Sequence, residues 1–281
     1  MNTIIANNLE FTYLTYGKGP LLLCLHGFPD SAHTWEDLGP RLARLGYQVV
    51  APFMRGYEPT EIPLDGSYGA LDLGADVLGL IEAFEQESAV VIGHDWGALA
   101  AYTAANLNPR AISKLVTLAI PHPRSLQISP FALWRARHFV TFQFPNAARR
   151  FMRRKHMSGV DDIYRRWSPT WDFQPSETAY IRASFADPER LDAALGYYWS
   201  FRSQASESGP VMGRKTAVPT LCLVGSVDGA LSFSAMDRTP DCYVNDYQYH
   251  IMPNIGHFPH REAPDVVFDY IANFLQETDQ S

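Results

Sequence analysis

Cysteine is scarce: Cys24, Cys222 and Cys242 are the three in 281 residues, too few and too scattered for a disulfide framework. Cys24 and Cys222 lie inside apolar runs, which reads as buried free thiols in a reducing compartment. No CxxC, HExxH or GxGxxG pattern occurs, so no metal and no dinucleotide cofactor is expected. No window is long and apolar enough to span a bilayer. The opening "MNTIIANNLE" has no basic stretch followed by an apolar one, so no signal peptide is read and a cytoplasmic location is expected. Basic residues are in the minority, 23 against 30 acidic, and the net charge of -7 disfavours a nucleic-acid partner. Internal repeats and low-complexity tracts are also missing.

What is present is a series of short apolar runs. They are "LLLCLHG" (21–27), "YQVVAPF" (47–53), "AVVIGH" (89–94), "KLVTLAI" (114–120), "PTLCLVGS" (219–226) and "YQYHIM" (247–252). Helical periodicity fills several intervals, such as Leu71 to Phe84 and Trp96 to Leu107. Near-continuous apolar strands alternating with helices predict an α/β protein, a mostly parallel sheet covered on both faces. On such sheets ligands bind beyond the carboxyl ends of the strands. From about Arg124 to Gly213 the strand runs vanish and aromatic and arginine residues accumulate. The expectation is a core of residues 1–123 and 214–281, with residues 124–213 inserted as a helical cap. The clusters "ARRFMRRK" and "YRRW" read as solvated faces.

One turn stands apart. "VVIGHDWGAL" (90–99) places Asp95 between Gly93 and Gly97, after a strand and before a helix. Asp95 could cap the helix that starts at Trp96. Gly-x-Asp-x-Gly also matches a nucleophile elbow with Asp in the place of Ser. These five residues alone leave both readings open. Other candidates follow other strands: "HGFPDSAHTW" (26–35), "LVGSVDGAL" (223–231) with Asp228, and "NIGHFPHRE" (254–262) with His257. The order nucleophile, acid, histidine is that of the α/β-hydrolase fold. Asp228 has a plainer reading too, since "VDG" is a common turn. The stretch after Ile120, "IPHPRS", offers no carboxylate as a rival acid. His26 and His94 read as structural, and His260 as a surface residue.

With His-Gly-x-Pro at 26–29 and Gly-His-Asp-Trp-Gly at 93–97, the chain resembles the epoxide hydrolases of the α/β-hydrolase fold over nearly its full length. The resemblance implies that Asp95, already ionised near neutral pH, attacks an epoxide carbon and forms an alkyl ester. His257, oriented by Asp228, then activates water to hydrolyse it. The implied oxyanion donors are the N–H groups of Phe28 and Trp96. The substrate wall is expected to include Phe28, Trp96, Phe139 and Tyr197.

The leaving alkoxide needs a proton donor. Epoxide hydrolases typically use two cap tyrosines. "LDAALGYYWSF" (191–201) resembles one such segment, and helical spacing groups Leu191, Ala194, Leu195 and Tyr198, which selects Tyr198 over Tyr197. At the other position, in "WRARHFVTFQFP" (134–145), stands His138. Phe131, Trp134, His138 and Phe142 form an aromatic stripe on which a histidine is ordinarily packing, but some family members resemble this chain in pairing His with Tyr. Neutral imidazole keeps one N–H to donate. The partners implied are a small apolar epoxide and water, with a homodimer left open. A dehalogenase would use the same nucleophile; Trp96 and Leu99 stand where haloacid-binding arginines would, and Phe28 where haloalkane dehalogenases usually carry Asn. A non-catalytic ligand-binding protein on the same fold is the third reading.

Overall fold

The computed structural model describes residues 1–125, 130–231 and 236–277, and the side chains of all of these except 131–133 and 236–238. It opens with a hairpin, β1 (Asn2–Ala6) and β2 (Leu9–Tyr16), which the apolar runs did not reveal. Asn7 and Asn8 turn it with φ of 45° and 62°, a conformation that asparagine tolerates and that suits a two-residue hairpin. β1 is mostly exposed, so it carries little apolar signal.

The alternating pattern follows. β3 (Leu21–Leu25) leads through a helical turn (Ala32–Trp35) to α1 (Leu38–Ala43) and β4 (Gln48–Pro52), then α2 (Ala70–Ala83), β5 (Ala89–His94), α3 (Trp96–Leu107) and β6 (Ile112–Leu118). The eight strands lie in the order β1-β2-β4-β3-β5-β6-β7-β8, with β7 (Thr220–Gly225) and β8 (Tyr247–Met252) completing the sheet. β1 pairs with β2, and β2 with β4, antiparallel; the pairings from β4–β3 through β7–β8 are all parallel. β3, β5 and β7 are buried along their whole length, because helices cover them, whereas the edge strand β8 is not. The predicted α/β-hydrolase architecture is the one observed.

Six helices stand between β6 and β7: α4 (Pro130–Arg135), α5 (Arg137–Phe142), α6 (Pro145–Trp167, broken at Arg154–Met157), α7 (Ala179–Phe185), α8 (Pro188–Ser203) and α9 (Ala205–Met212). The chain ends in α10 (Pro259–Glu262) and α11 (Pro264–Gln276). No helix among the described residues is long and apolar enough to cross a membrane. Sheet and inserted helices share one hydrophobic core, in which Tyr164, Trp167, Tyr197 and Tyr198 join Leu25, Phe28 and Trp96.

Two expectations need correcting here. The stripe through Trp134 and His138 does not lie on one helix, since a break at Ala136 separates α4 from α5. Trp134 is therefore 60% exposed while His138 and Phe142 are buried, and the side chain of Phe131 lies outside the described residues. The arginine clusters are solvated at Arg150, Arg153 and Arg165, but Arg166 is not: its Nε and Nη2 are buried without a hydrogen-bond partner.

One buried ion pair fixes the loop after β4. Arg55 grips Asp76 of α2 with two bonds, Nε to Oδ2 at 2.5 Å and Nη2 to Oδ1 at 2.6 Å, and Asn7 adds a third donor at 2.8 Å. The Arg55 carbonyl then accepts the Tyr197 hydroxyl at 2.8 Å, which ties α8 to this loop. Removing one partner strands the other charge inside the protein. Asp76→Ala should therefore lower stability by about 3–5 kcal/mol in chemical denaturation.

Candidate active site

Asp95 sits where β5 gives way to α3, with φ 51° and ψ -118°. Such a backbone costs roughly 1–3 kcal/mol for a residue with a side chain, so its surroundings must enforce it. They do so by contact. A Cβ on Gly93 would lie 2.3 Å from the Gly97 carbonyl oxygen, and one on Gly97 would lie 2.4 Å from the Leu25 carbonyl oxygen. Only glycines let β3, β5 and α3 close around the turn. The Asp95 side chain makes no capping bond to α3. The helix-cap reading is thereby excluded.

The Asp95 carboxylate has two distinct oxygens. Oδ1 accepts the Phe28 N–H at 2.8 Å, and Oδ2 lies 3.3 Å from His257 Nε2. The Trp96 N–H, at the first position of α3, makes no described hydrogen bond to the carboxylate. On the far side of the imidazole, His257 Nδ1 is 2.7 Å from Asp228 Oδ2. Asp228 Oδ1 accepts the N–H groups of Ala230 and Leu231, at 2.6 and 3.1 Å. Asp228 thus serves its own turn with one oxygen and faces the imidazole with the other.

Burial alone would push the Asp95 carboxyl up, but the hydrogen bond and charge of His257, with the Phe28 N–H, leave it below the ordinary carboxylate range. Burial would likewise depress His257. The Asp228 carboxylate, then Asp95, outweighs it and holds the imidazole well above its usual 6.5. Both contacts thus favour the protonated form of the imidazole.

The neighbouring histidines are structural. His26 Nε2 accepts the Met54 N–H at 2.9 Å, and His94 Nε2 meets the His257 carbonyl at 2.8 Å. His260 is not on the surface: it is 1% exposed, stacked on Trp35 and bonded to Thr34 Oγ1 at 2.6 Å, because α10 tucks it beneath the Ala32–Trp35 turn. After β6, where no carboxylate stands, His122 bonds Thr216 at 3.1 Å.

Above Asp95 opens a cavity of about 270 Å³. Asp95, Trp96, Leu99, His138, Phe139 and His257 line it, joined by Phe201 and Met212, which the sequence pattern did not single out. Their signal was absent because single apolar residues on separate helices form no motif. Arg124 lies on the same wall. Phe28, Tyr197 and Tyr198 stand behind the wall. Tyr197 spends its hydroxyl on the Arg55 carbonyl, and Phe28 is fully buried. The Tyr198 ring meets those of Trp96 and Phe139 edge-on at 5.0 Å each and that of His138 at 6.0 Å. Burial, then the Asp95 charge, pushes the Tyr198 hydroxyl well above 10, so it stays protonated. Burial and the nearby Arg166 push His138 well below 6.5, so it stays neutral.

The family model for the alpha/beta hydrolase fold matches residues 20–264, and the chain belongs to that family. Its relatives carry more particular names. It is 27% identical to Epoxide hydrolase A of Mycobacterium tuberculosis (strain ATCC 25618 / H37Rv), over 91% of this chain and 90% of the relative. It is 28% identical to the AB hydrolase superfamily protein YfhM of Bacillus subtilis (strain 168), over 92% and 91%. In three dimensions it resembles an inhibitor complex of Bacillus megaterium epoxide hydrolase, with a TM-score of 0.86, 24% identity and coverage of 98% and 100%. Epoxide Hydrolase A from Mycobacterium thermoresistibile gives a TM-score of 0.81 at 25% identity, covering 98% and 97%.

The elevated His257 titration depends first on Asp228 among the groups that raise it. In Asp228→Asn the imidazole should titrate at lower pH than in the native protein, which an NMR titration of the histidine ring protons will register.

Proposed function

We propose that this protein is an epoxide hydrolase that opens an apolar epoxide to a vicinal diol through an ester on Asp95. The observation that carries the reading is the split Asp95 carboxylate. One oxygen is held by a backbone N–H, and the other faces an imidazole inside an apolar cavity. The relatives named epoxide hydrolases support it.

In the first step Asp95 Oδ2 attacks an epoxide carbon and the carbon–oxygen bond of the ring breaks. The departing oxygen takes a proton from Tyr198, while the N–H of neutral His138 steadies it by a hydrogen bond. Tyr198 stands behind the Trp96–Phe139 wall, which must yield for its hydroxyl to reach substrate. Esterification removes the Asp95 charge, one of the two that hold His257 protonated. The imidazolium then gives up its proton, which returns through solvent to the Tyr198 phenolate, and the neutral imidazole becomes a base. It takes a proton from water, whose oxygen adds to the Asp95 carbonyl carbon. The charge this places on Oδ1 meets the Phe28 N–H already aimed there, and Trp96 is the second donor of the proposal. The ester bond breaks as the imidazolium gives that proton to the departing diol oxygen, and Asp95, left with the oxygen and second proton of the water, passes the proton to His257 and is again a carboxylate. Asp228 keeps the imidazole oriented throughout.

Dehalogenation of an anionic haloacid fits this wall less well, because Trp96 and Leu99 face the cavity where an arginine clamp would be needed.

His257→Gln, mixed with styrene oxide, should gain one substrate mass on the peptide that contains Asp95. An unmodified peptide, while the native enzyme consumes substrate, would overturn the ester. Tyr198→Phe and His138→Phe should each slow single-turnover ester formation by roughly 10²-fold or more, the usual worth of a positioned proton donor. The pH dependence separates the two half-reactions. A nucleophile with a lowered pKa and a donor with a raised one leave ester formation flat between about pH 5 and pH 9. Ester hydrolysis needs neutral His257, so its rate should rise with pH and then level off, which stopped-flow at a series of pH values will show.

A further inference from the structure

The end of α6 leaves the inserted helices and closes on the two loops that carry Asp228 and His257. The Trp167 carbonyl accepts the Gly229 N–H at 2.9 Å and the His257 N–H at 3.2 Å. The His257 N–H also reaches the Ser168 hydroxyl oxygen at 2.9 Å. Ser168 donates in turn to Glu262 Oε1 at 2.6 Å. Glu262 accepts two more bonds, from the Gly256 N–H at 2.7 Å and the Phe258 N–H at 2.9 Å. One carboxylate thus holds the residues on both sides of His257, and through one hydroxyl it holds His257 itself. The packing leaves no slack. A Cβ on Gly256 would lie 2.4 Å from the Ser168 Cα, and one on Gly229 would lie 1.9 Å from the Arg166 carbonyl oxygen.

Helix capping explains only part of this. A Glu in the first turn of α10 accounts for the bond to Phe258, the residue before the helix. It does not account for Gly256, or for a hydroxyl delivered from another part of the fold. His257 must hold Nδ1 2.7 Å from Asp228 and Nε2 3.3 Å from Asp95 at once. A small rotation of its backbone breaks one contact or the other. We propose that Glu262 and Ser168 are positioning residues for the water-attack half of the reaction, fixing the His257 backbone against the end of α6. This rests on the reading of Asp95 as nucleophile and His257 as base. Ester formation uses no base, so the two residues matter little to it.

Three single variants of the full chain, Glu262→Gln, Glu262→Ala and Ser168→Ala, test this with styrene oxide as the probe. Rapid quench measures ester formation and decay separately, and NMR follows the His257 Nδ1 proton shared with Asp228. The expected result is formation within about twofold of native and decay slower by roughly ten- to a hundredfold, the range that follows from misplacing a reacting group by a fraction of an ångström to an ångström. Ester should accumulate most in Glu262→Ala and less in Glu262→Gln, which keeps one acceptor oxygen. The Nδ1 proton signal should shift or broaden in the same order. Equal slowing of both half-reactions, or unchanged decay with an unchanged proton signal, would overturn the proposal. Should the Glu262 variants fail to fold, Ser168→Ala decides alone, since it removes one hydroxyl and no charge. If native enzyme turns over with no ester at all, the nucleophile reading has failed; the Nδ1 proton signal then still decides whether these residues hold the imidazole.

Discussion

Everything at this site depends on how closely three backbone segments approach around Asp95. β3, β5 and the start of α3 meet at distances that leave no room for a single methyl group on Gly93 or Gly97. That closeness holds Asp95 in a left-handed backbone it would not choose. It also brings the Phe28 N–H, on the loop after β3, within hydrogen-bond reach of a side chain on the loop after β5. The order of strands makes this possible. β3 and β5 are parallel neighbours, so their carboxyl ends deliver both loops to the same edge.

A second dependence is electrostatic. Two carboxylates flank one imidazole, Asp228 and His257 buried and Asp95 half-buried at the cavity, and each partner offsets the cost of burying the next. Such an arrangement responds when one member changes charge. In the proposed reaction, loss of the Asp95 charge on bonding to substrate would weaken the hold on the imidazole proton and so prepare the base for the step that follows.

The architecture was legible in the sequence wherever apolar content was continuous. β5 and α3 run over the residues that their patterns indicate, because both are buried and the turn with its glycines ends the one and starts the other. The β1–β2 hairpin was not legible, because an exposed edge strand has no need of an apolar run. Of the site, Asp95, Asp228 and His257 were visible because each follows a strand in a recognisable turn. His260 was misjudged, since nothing local to "HFPHRE" announces that α10 folds under Trp35. The break at Ala136 was likewise hidden, as no proline or glycine marks it. Tyr197 was expected on the substrate wall, but its hydroxyl is taken by the Arg55 carbonyl in the loop after β4. Pairings of that kind depend on tertiary proximity, which periodicity along one helix does not encode.

The cavity wall carries a consequence for traffic through the site. Trp96, Leu99, Phe139, Phe201 and Met212 offer few hydrogen-bonding groups to whatever fills the space. A cyclic ether has one weak acceptor and loses little by leaving water for such a chamber. A molecule with two hydroxyls gives up several bonds to solvent and recovers few of them inside. For the proposed reaction, the apolar part of the lining would therefore favour entry of the epoxide over retention of the diol.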